Sequence, residues 1–354
     1  MVGVMGCLAA LLLVAERLLV SYGECEVSVN AGERVFVTAG GRTLLEAFYE
    51  NEVYIPSACG GKGTCGFCKV AVPLGGGPIL PTETPYLTRR EVRAGVRLAC
   101  QVKVKEDLVV QMPEEFLNVR MYQAVVTGAL GLTHDTKEIH LELLEPSEIE
   151  FLPGQYVQVQ APSPEGPVFR AYSISSPVSQ TQGIELVVRL VPGGIASTYL
   201  HDLRAGDEVV FTGPYGDFRL SEDPEVELVC VAGGCGMAPM RCLVDSLYQQ
   251  WPDRRCWLFF GARRTRDVFY LEYFQELARR YPNFTVVYAL SDPLRPGETW
   301  DGETGFVHLS VDEHLAPGVK RQAFVCGPEP MTDAVTGVLR EKGLPEEDIY
   351  YDKF

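Results

Sequence analysis

Four cysteines constrain this chain more than any other feature. Three lie in Cys59-Gly60-Gly61-Lys62-Gly63-Thr64-Cys65-Gly66-Phe67-Cys68, and the fourth in Leu98-Ala99-Cys100-Gln101. A two-iron, two-sulfur cluster takes two thiolates on each iron, so a chain that holds one must wrap tightly around the inorganic sulfides. Glycine permits that approach, and inward-facing backbone N–H groups offset the cluster's negative charge. The first gap is one residue longer than in the plant-type spacing. Zinc sites usually come as two C-x2-C hairpins, and only one is present. Cys7, Cys25, Cys230, Cys235, Cys242, Cys256 and Cys326 show no paired spacing that would suggest a disulfide framework. No histidine lies near the four cysteines, which excludes a Rieske-type site. Cys59, Cys65, Cys68 and Cys100 are therefore read as the metal ligands of a 2Fe-2S cluster.

The 354 residues suffice for two or three domains, each with its own core. A formal net charge of −16 without a basic tract argues against nucleic-acid binding. It suggests instead an acidic electron carrier that docks on a basic or neutral protein. Eleven cysteines without a framework fit a reducing compartment.

Residues 1–23 form an apolar segment. Val2 to Ala15 carries no charge, Glu16 and Arg17 follow, and then Leu18-Leu19-Val20. As a helix the uncharged part covers about 21 Å, short of a hydrocarbon core of roughly 30 Å. With Leu18 to Val20 it reaches spanning length, and the Glu–Arg pair can sit at the interface by snorkelling. The n-region lacks Lys and Arg, which argues against a secretory signal. The expectation is a short N-terminal helix that anchors the protein to the cytoplasmic side of the cell membrane. A helix packed on a partner or on the chain's own surface, in a soluble cytoplasmic protein, is the alternative.

Three further segments follow. Over 24–115, alternating runs Cys25 to Asn30 and Arg34 to Thr38 predict a hairpin, and Thr43 with Glu46 forms a capping box that opens a helix through about Glu50. Strands are expected at Lys69 to Val72, Gln101 to Val104 and Leu108 to Gln111, giving a β-grasp domain with α+β content. Over 118–222, short strands at Ala124 to Thr127, Glu138 to Leu144, Tyr156 to Gln160, Ile184 to Leu190 and Glu208 to Thr212 predict an antiparallel β-barrel, with one helix near Ser197 to Leu203. Over 223–354 strands alternate with helices. Apolar runs at Val226 to Val231, Cys256 to Phe260, Val286 to Leu290 and Gln322 to Cys326 flank helical Met240 to Gln250, Glu272 to Arg280 and Thr332 to Lys342. This predicts an α/β, doubly wound parallel sheet that binds a nucleotide.

The barrel segment contains Arg170-Ala171-Tyr172-Ser173. An Arg at a strand start can pair with a phosphate, a Tyr two residues on shares its face and can stack on a planar ring, and the Ser hydroxyl can bond a ring nitrogen. Gly193-Gly194-Ile195-Ala196-Ser197 is a glycine turn entering a helix, whose N-terminus suits a pyrophosphate. Together the two motifs predict a flavin site. The last segment opens with Gly233-Gly234-Cys235-Gly236-Met237-Ala238-Pro239 between a strand and a helix, a GGxGxxP form of the dinucleotide loop. Cys235 within it reads as a small buried residue. Cys326-Gly327-Pro328 follows a strand and puts a polarisable side chain at the carboxyl edge of the sheet, where ligands bind.

In this order the motifs resemble the ferredoxin reductase superfamily, and within it the family of F subunits of the sodium-translocating NADH:quinone reductases. The resemblance covers nearly the whole chain and includes Pro113 to Phe116, Gly261-Ala262-Arg263 and the terminal Asp352-Lys353-Phe354. It implies an oxidoreductase in which electrons pass from NADH to FAD, then to the 2Fe-2S cluster, then to a partner in a membrane redox complex. It assigns Arg170 to the FAD phosphates, Tyr172 and Phe354 to opposite faces of the isoalloxazine, and Ser173 to the region of its N5. It assigns Gly194 and Ser197 to the pyrophosphate, and Gly233, Gly234, Gly236 and Pro239 to the nicotinamide dinucleotide. Cys326 is placed beside the nicotinamide, so Ser173, Cys326 and Phe354 are the candidate catalytic residues. Two departures are visible: the segment between Ala161 and Arg170 is short, and the apolar N-terminus contains Glu16-Arg17. A soluble reductase component that feeds an oxygenase is the alternative function. Arg263, Arg264 and Arg266 could hold a 2′-phosphate, but the resemblance favours NADH over NADPH.

Overall fold

The computed structural model describes residues 22–353 apart from Glu165 and Asp217. The expected N-terminal anchor and Phe354 therefore lie outside the described residues. The described residues divide into two compact units, split between Arg120 and Met121.

In the first unit the predicted hairpin forms as β1 (Glu24–Val29) and β2 (Arg34–Ala39), paired antiparallel. Thr43 caps α1 (Leu44–Glu50): its hydroxyl accepts from Glu46 N while Glu46 Oε2 accepts from Thr43 N at 2.8 Å. β3 (Lys69–Leu74), α2 (Arg89–Arg93), β4 (Val96–Leu98) and β5 (Leu108–Gln111) complete the unit. The sheet order is β2-β1-β5-β3-β4, with β1 and β5 parallel, a β-grasp arrangement. Val27, Val29, Leu44, Phe48, Leu98 and Val110 form the buried layer between sheet and helix.

One expectation is corrected here. Gln101 to Val104 is not a strand. Its carbonyls serve the loop before α1, Leu44 N donating to Val102 O at 2.8 Å and Gly41 N to Val104 O at 2.7 Å. The strand is instead β4, just before Cys100. The helix α2 was also unforeseen, although Thr88 and Glu91 form a second capping box.

The second unit begins with an antiparallel sheet of β6 (Arg120–Gly131), β7 (Thr136–Glu145), β8 (Tyr156–Ala161), β9 (Val168–Ser173), β10 (Gly183–Arg189) and β11 (Glu208–Tyr215). Its order is β10-β7-β6-β11-β8-β9, and a bridge between Ile174 and Leu186 draws the two edges together into a barrel. α3 (Ile195–Asp202) packs on β8, β9 and β10.

The remainder is a parallel sheet flanked by helices: β12 (Glu227–Gly233), α4 (Met237–Gln250), β13 (Cys256–Ala262), α5 (Leu271–Arg280), β14 (Phe284–Leu290), β15 (Glu303–Thr304), α6 (Val307–His314), β16 (Arg321–Gly327), α7 (Glu329–Glu341) and β17 (Ile349–Lys353). The order β15-β14-β13-β12-β16-β17 reverses direction between β12 and β16, the switch point at which such sheets bind ligands. Both faces are covered. Leu228, Cys230 and Ala232 face α4 and α5, and Val229 and Val231 face α6 and α7. The sequence reading missed α6 and β15, and began α4 and α7 three residues late. β15 has two residues, too few for a periodic signal.

Barrel and nucleotide sheet are joined by buried charge. Arg241 on α4 lies 2.7 Å from both Glu138 on β7 and Glu185 on β10. Tyr270 donates to Glu138, and Tyr273 donates to Asp245 at 2.5 Å.

Candidate functional site

In the first unit the four predicted ligands converge as two pairs. Cys59 and Cys65 Sγ are 3.3 Å apart, and Cys68 and Cys100 Sγ 3.4 Å. Cys68 and Cys100 are buried, whereas Cys59 and Cys65 are half-buried. Backbone N–H groups of Lys62 and Thr64 point at Cys59, and that of Gly63 at Cys100. Hydrogen bonding from Cys65, aided by those amides, lowers the Cys59 thiol pKa. Gly60, Gly61, Gly63 and Gly66 all have positive φ, from 64° to 84°. A Cβ at Gly63 would press on Gln101, and one at Gly66 on the Tyr86 ring. Two thiol pairs, inward amides and a glycine loop in left-handed backbone fit the two-iron cluster, with one pair for each iron.

Sequence reasoning missed the support for this loop. Tyr86 OH donates to Thr64 O at 3.0 Å. Gln101 accepts from Thr82 at 2.8 Å and turns its amide toward Cys100 Sγ. Glu83 is fully buried and accepts from Arg97, Leu80 N and Leu98 N. Burial alone would raise the Glu83 pKa, but Arg97 and the two amides hold it below the usual value. The acidic residue in Pro81-Thr-Glu83-Thr gave no signal because its partner lies 14 residues away.

In the second unit β9 carries Arg170, Tyr172 and Ser173, in register with Val159, Val157 and Tyr156 of β8. Arg170 and Tyr172 share a strand face, as their spacing requires. Arg170 Nη1 donates to Phe169 O at 2.7 Å. Burial pushes the Tyr172 hydroxyl up to about 12. Gly194 is the N-cap residue of α3, and α3 packs on β8 and β9, so the two flavin motifs are neighbours. The Ser197 hydroxyl is committed locally: it accepts from Val191 N at 3.1 Å and lies 3.4 Å from Gly194 O. It braces the glycine turn, while its own proton has only the carbonyls of Val191 and Gly194, both 3.4 Å away.

The GGxGxxP segment runs from the carboxyl end of β12 into α4 and lies against β10 and β16. Gly233 and Gly234 line a cleft of about 670 Å³ at the carboxyl edge of the parallel sheet. Gly234 has φ +55° and open space at its Cβ position. Gly236 and Pro239 are buried in the turn and first helical turn, and neither is on the cleft wall. A side chain at Gly236 would strike the Cys326 carbonyl, so this glycine lets the loop cross β16. Cys326 is buried at the end of β16, opposite Asp352 of β17. Burial, then the charges of Asp352 and Cys235, raise its thiol pKa. Burial also pushes Cys235 up to about 11, in keeping with an inert thiol. Phe354 falls outside the described residues.

The cleft also has walls that sequence reasoning did not identify. Thr133, His134, Asp135 and Thr136 contribute from the β6–β7 turn, and Phe306 stands 63 % exposed at the start of α6. Arg263, Arg264 and Arg266 all line it. Arg264 lies 3.0 Å and Arg263 4.0 Å from Asp292, and Arg266 lies 3.6 Å from Asp267. Each arginine therefore already faces a carboxylate.

Three family profiles match the chain in tandem: the 2Fe-2S iron-sulfur cluster binding domain over 27–105, the oxidoreductase FAD-binding domain over 123–220 and the oxidoreductase NAD-binding domain over 230–337. Among relatives, the F subunit of the Na(+)-translocating NADH-quinone reductase of Neisseria meningitidis serogroup C is 38 % identical, across 98 % of this chain and 96 % of its own length. The corresponding protein of Klebsiella pneumoniae is 35 % identical over the same shares. Among solved structures, the Amycolatopsis cytochrome P450 reductase GcoB is 32 % identical with a TM-score of 0.75, covering 93 % of this chain and 98 % of that one. A ferredoxin reductase of carbazole 1,9a-dioxygenase is 26 % identical with a TM-score of 0.71, covering 94 % and 99 %.

Proposed function

The chain belongs to the family of F subunits of the Na(+)-translocating NADH-quinone reductases, and we propose that it is the electron-input component of a membrane quinone reductase. It is an NADH-dependent oxidoreductase that carries FAD and a 2Fe-2S cluster and passes electrons from NADH through FAD to the cluster. Hydride arrives as two electrons and the cluster accepts one at a time, so the flavin, which handles either number, is the necessary intermediary.

Each candidate residue has a distinct task. Cys59 and Cys65 hold one iron and Cys68 and Cys100 the other, a reading carried by the two close thiol pairs. Arg170 neutralises FAD phosphate, Tyr172 and Phe354 cover the isoalloxazine, and Ser173 sits near its N5. The α3 N-terminus at Gly194 receives the pyrophosphate through backbone N–H groups, with the Ser197 hydroxyl beside them in the first turn. Gly233 and Gly234 bring backbone to the dinucleotide, Gly236 and Pro239 shape the turn beneath it, and Cys326 closes the nicotinamide end. The NADH-quinone reductase relatives support NADH over a 2′-phosphorylated nucleotide, and Arg264 is already paired with Asp292.

We place the acceptor in a membrane complex on its cytoplasmic side, with residues 1–23 as anchor. Among the described residues no helix is long and apolar enough to cross a membrane, and residues 1–21 lie outside them. The likeness to GcoB supports a second reading, a reductase serving an oxygenase, but at lower identity than the NADH-quinone reductase relatives.

The test adds the purified protein to host membranes from which this chain has been deleted. NADH-dependent reduction of ubiquinone-1 should be restored, and deletion of residues 2–22 should greatly weaken it while leaving ferricyanide reduction intact. Restoration by neither form, with ferricyanide reduction normal in both, would reject the quinone reductase reading. Equal restoration by both would reject the anchor.

A further inference from the structure

Charge is distributed very unevenly along this acidic chain. Residues 121–354 carry 34 Asp and Glu against 19 Lys and Arg, whereas residues 22–120 carry 12 against 11. Within the first unit the segment 56–98, which holds three of the four cluster cysteines, has six basic residues and only two acidic ones. Both acidic residues are already matched: Glu83 by buried Arg97 at 2.6 Å and Glu91 by Lys69 at 2.8 Å. Lys62, Arg89, Arg90 and Arg93 remain, all exposed and forming no ion pair among the described residues.

Lys62 lies within the cluster loop, and the helix that carries the three arginines is tied to that loop. α2 carries Arg89, Arg90 and Arg93, and its Glu91 grips Lys69, the residue after Cys68. Tyr86, just ahead of α2, bonds Thr64 and abuts Gly66 inside the cluster loop. Between Gly66 and Cys68 stands Phe67, 50 % exposed, and Val92 on α2 is 40 % exposed. An exposed aromatic in the cluster loop, and a short basic helix tied to that loop through Tyr86 and Lys69, have the composition of a transient docking patch, an apolar contact with steering charge nearby.

We propose that this face, formed by Phe67, Val92, Arg89, Arg90 and Arg93, is where an acidic protein acceptor docks to receive electrons from the cluster. The proposal rests on the reading of the chain as an electron-input component and names the chemistry of its partner. It also replaces the expectation drawn from net charge alone, since nearly all the negative excess resides in the other unit and the delivery surface is basic.

The test reverses the charge with R89E/R90E/R93E and neutralises it with R89Q/R90Q/R93Q, both in the full chain with its cofactors. Acidic cytochrome b5 and basic cytochrome c serve as protein acceptors, with Cys65→Ser subtracting any direct flavin contribution. NADH-driven reduction of flavin and cluster should be unchanged in both variants. Cytochrome b5 reduction at low ionic strength should fall at least about tenfold with the glutamates and less with the glutamines. Added salt should slow the parent but not the glutamate variant. The cytochrome c rate should move the opposite way. Unchanged preference between the two cytochromes, or slower cluster reduction by NADH, would overturn the proposal. Failure of the parent to support ubiquinone-1 reduction in the deleted membranes, with the cytochrome preference as expected, would sink the quinone reductase reading and leave the basic docking face standing.

Discussion

Arg97 Nη2 lies 2.6 Å from Glu83 Oε2, and both side chains are almost wholly withdrawn from water. The pair ties the segment Gly76 to Glu83 to β4, because Arg97 also donates to the carbonyls of Gly77 and Pro78. β4 leads directly into Cys100. Glu83→Gln should leave a buried guanidinium without its counter-charge and destabilise the first unit by about 3–5 kcal/mol. Visible circular dichroism during a thermal ramp should show earlier loss of the cluster band, with the flavin band unaffected. The double change Glu83→Gln with Arg97→Met should recover part of the loss.

Cys65→Ser should abolish the visible absorbance of the cluster and leave reduction of the flavin by NADH at its normal rate. The cysteine belongs to the first unit, whereas β9, α3 and the glycine turn all belong to the second. Stopped-flow absorbance with NADH checks both statements in one experiment.

The glycines of the dinucleotide turn should separate by effect. Gly236→Ala forces a methyl group against the Cys326 carbonyl, which backbone cannot yield cheaply, so stability should fall by roughly 1–3 kcal/mol. Gly234→Ala meets no atom within 4 Å but places an alanine at φ +55°, costing about 1–2 kcal/mol. Because Gly234 is on the cleft wall, its substitution should raise the KM for NADH several-fold. Melting temperature and steady-state ferricyanide reduction distinguish the two.

Asp245 gives the protein a pH signature. Burial pushes its carboxyl up to about 6, against 3.8 normally, despite the Tyr273 hydroxyl and Arg241. Between those values the folded chain holds a proton that the unfolded chain has released. The resulting stability is complete below pH ~4 and is lost as pH rises through ~6. Asp245→Asn should remove that dependence, so the variant gains on the parent by on the order of 2–3 kcal/mol across this interval. Melting temperatures of both proteins from pH 4 to pH 7 provide the check, and a constant difference would show that Asp245 titrates normally.

What could be read from the residues alone is what short-range spacing encodes. The Cys59 to Cys68 loop, the Thr43–Glu46 capping box, the Arg170–Tyr172 pair on one strand face and the GGxGxxP turn between strand and helix all depend on neighbours within about ten residues. Local geometry enforces such patterns wherever the chain folds. Relationships between distant residues emerged only on folding: Glu83 with Arg97, Arg241 with Glu138 and Glu185, and Gly236 beneath Cys326. Folding also directed the Ser197 hydroxyl to Val191 and the carbonyls of Val102 and Val104 to the loop before α1, because buried backbone groups take whichever partner packing brings within reach. Net charge is a sum over the sequence and hides the exposed basic residues of the segment 56–98. Where each charge is cancelled and where it is left exposed is settled only when the chain has folded.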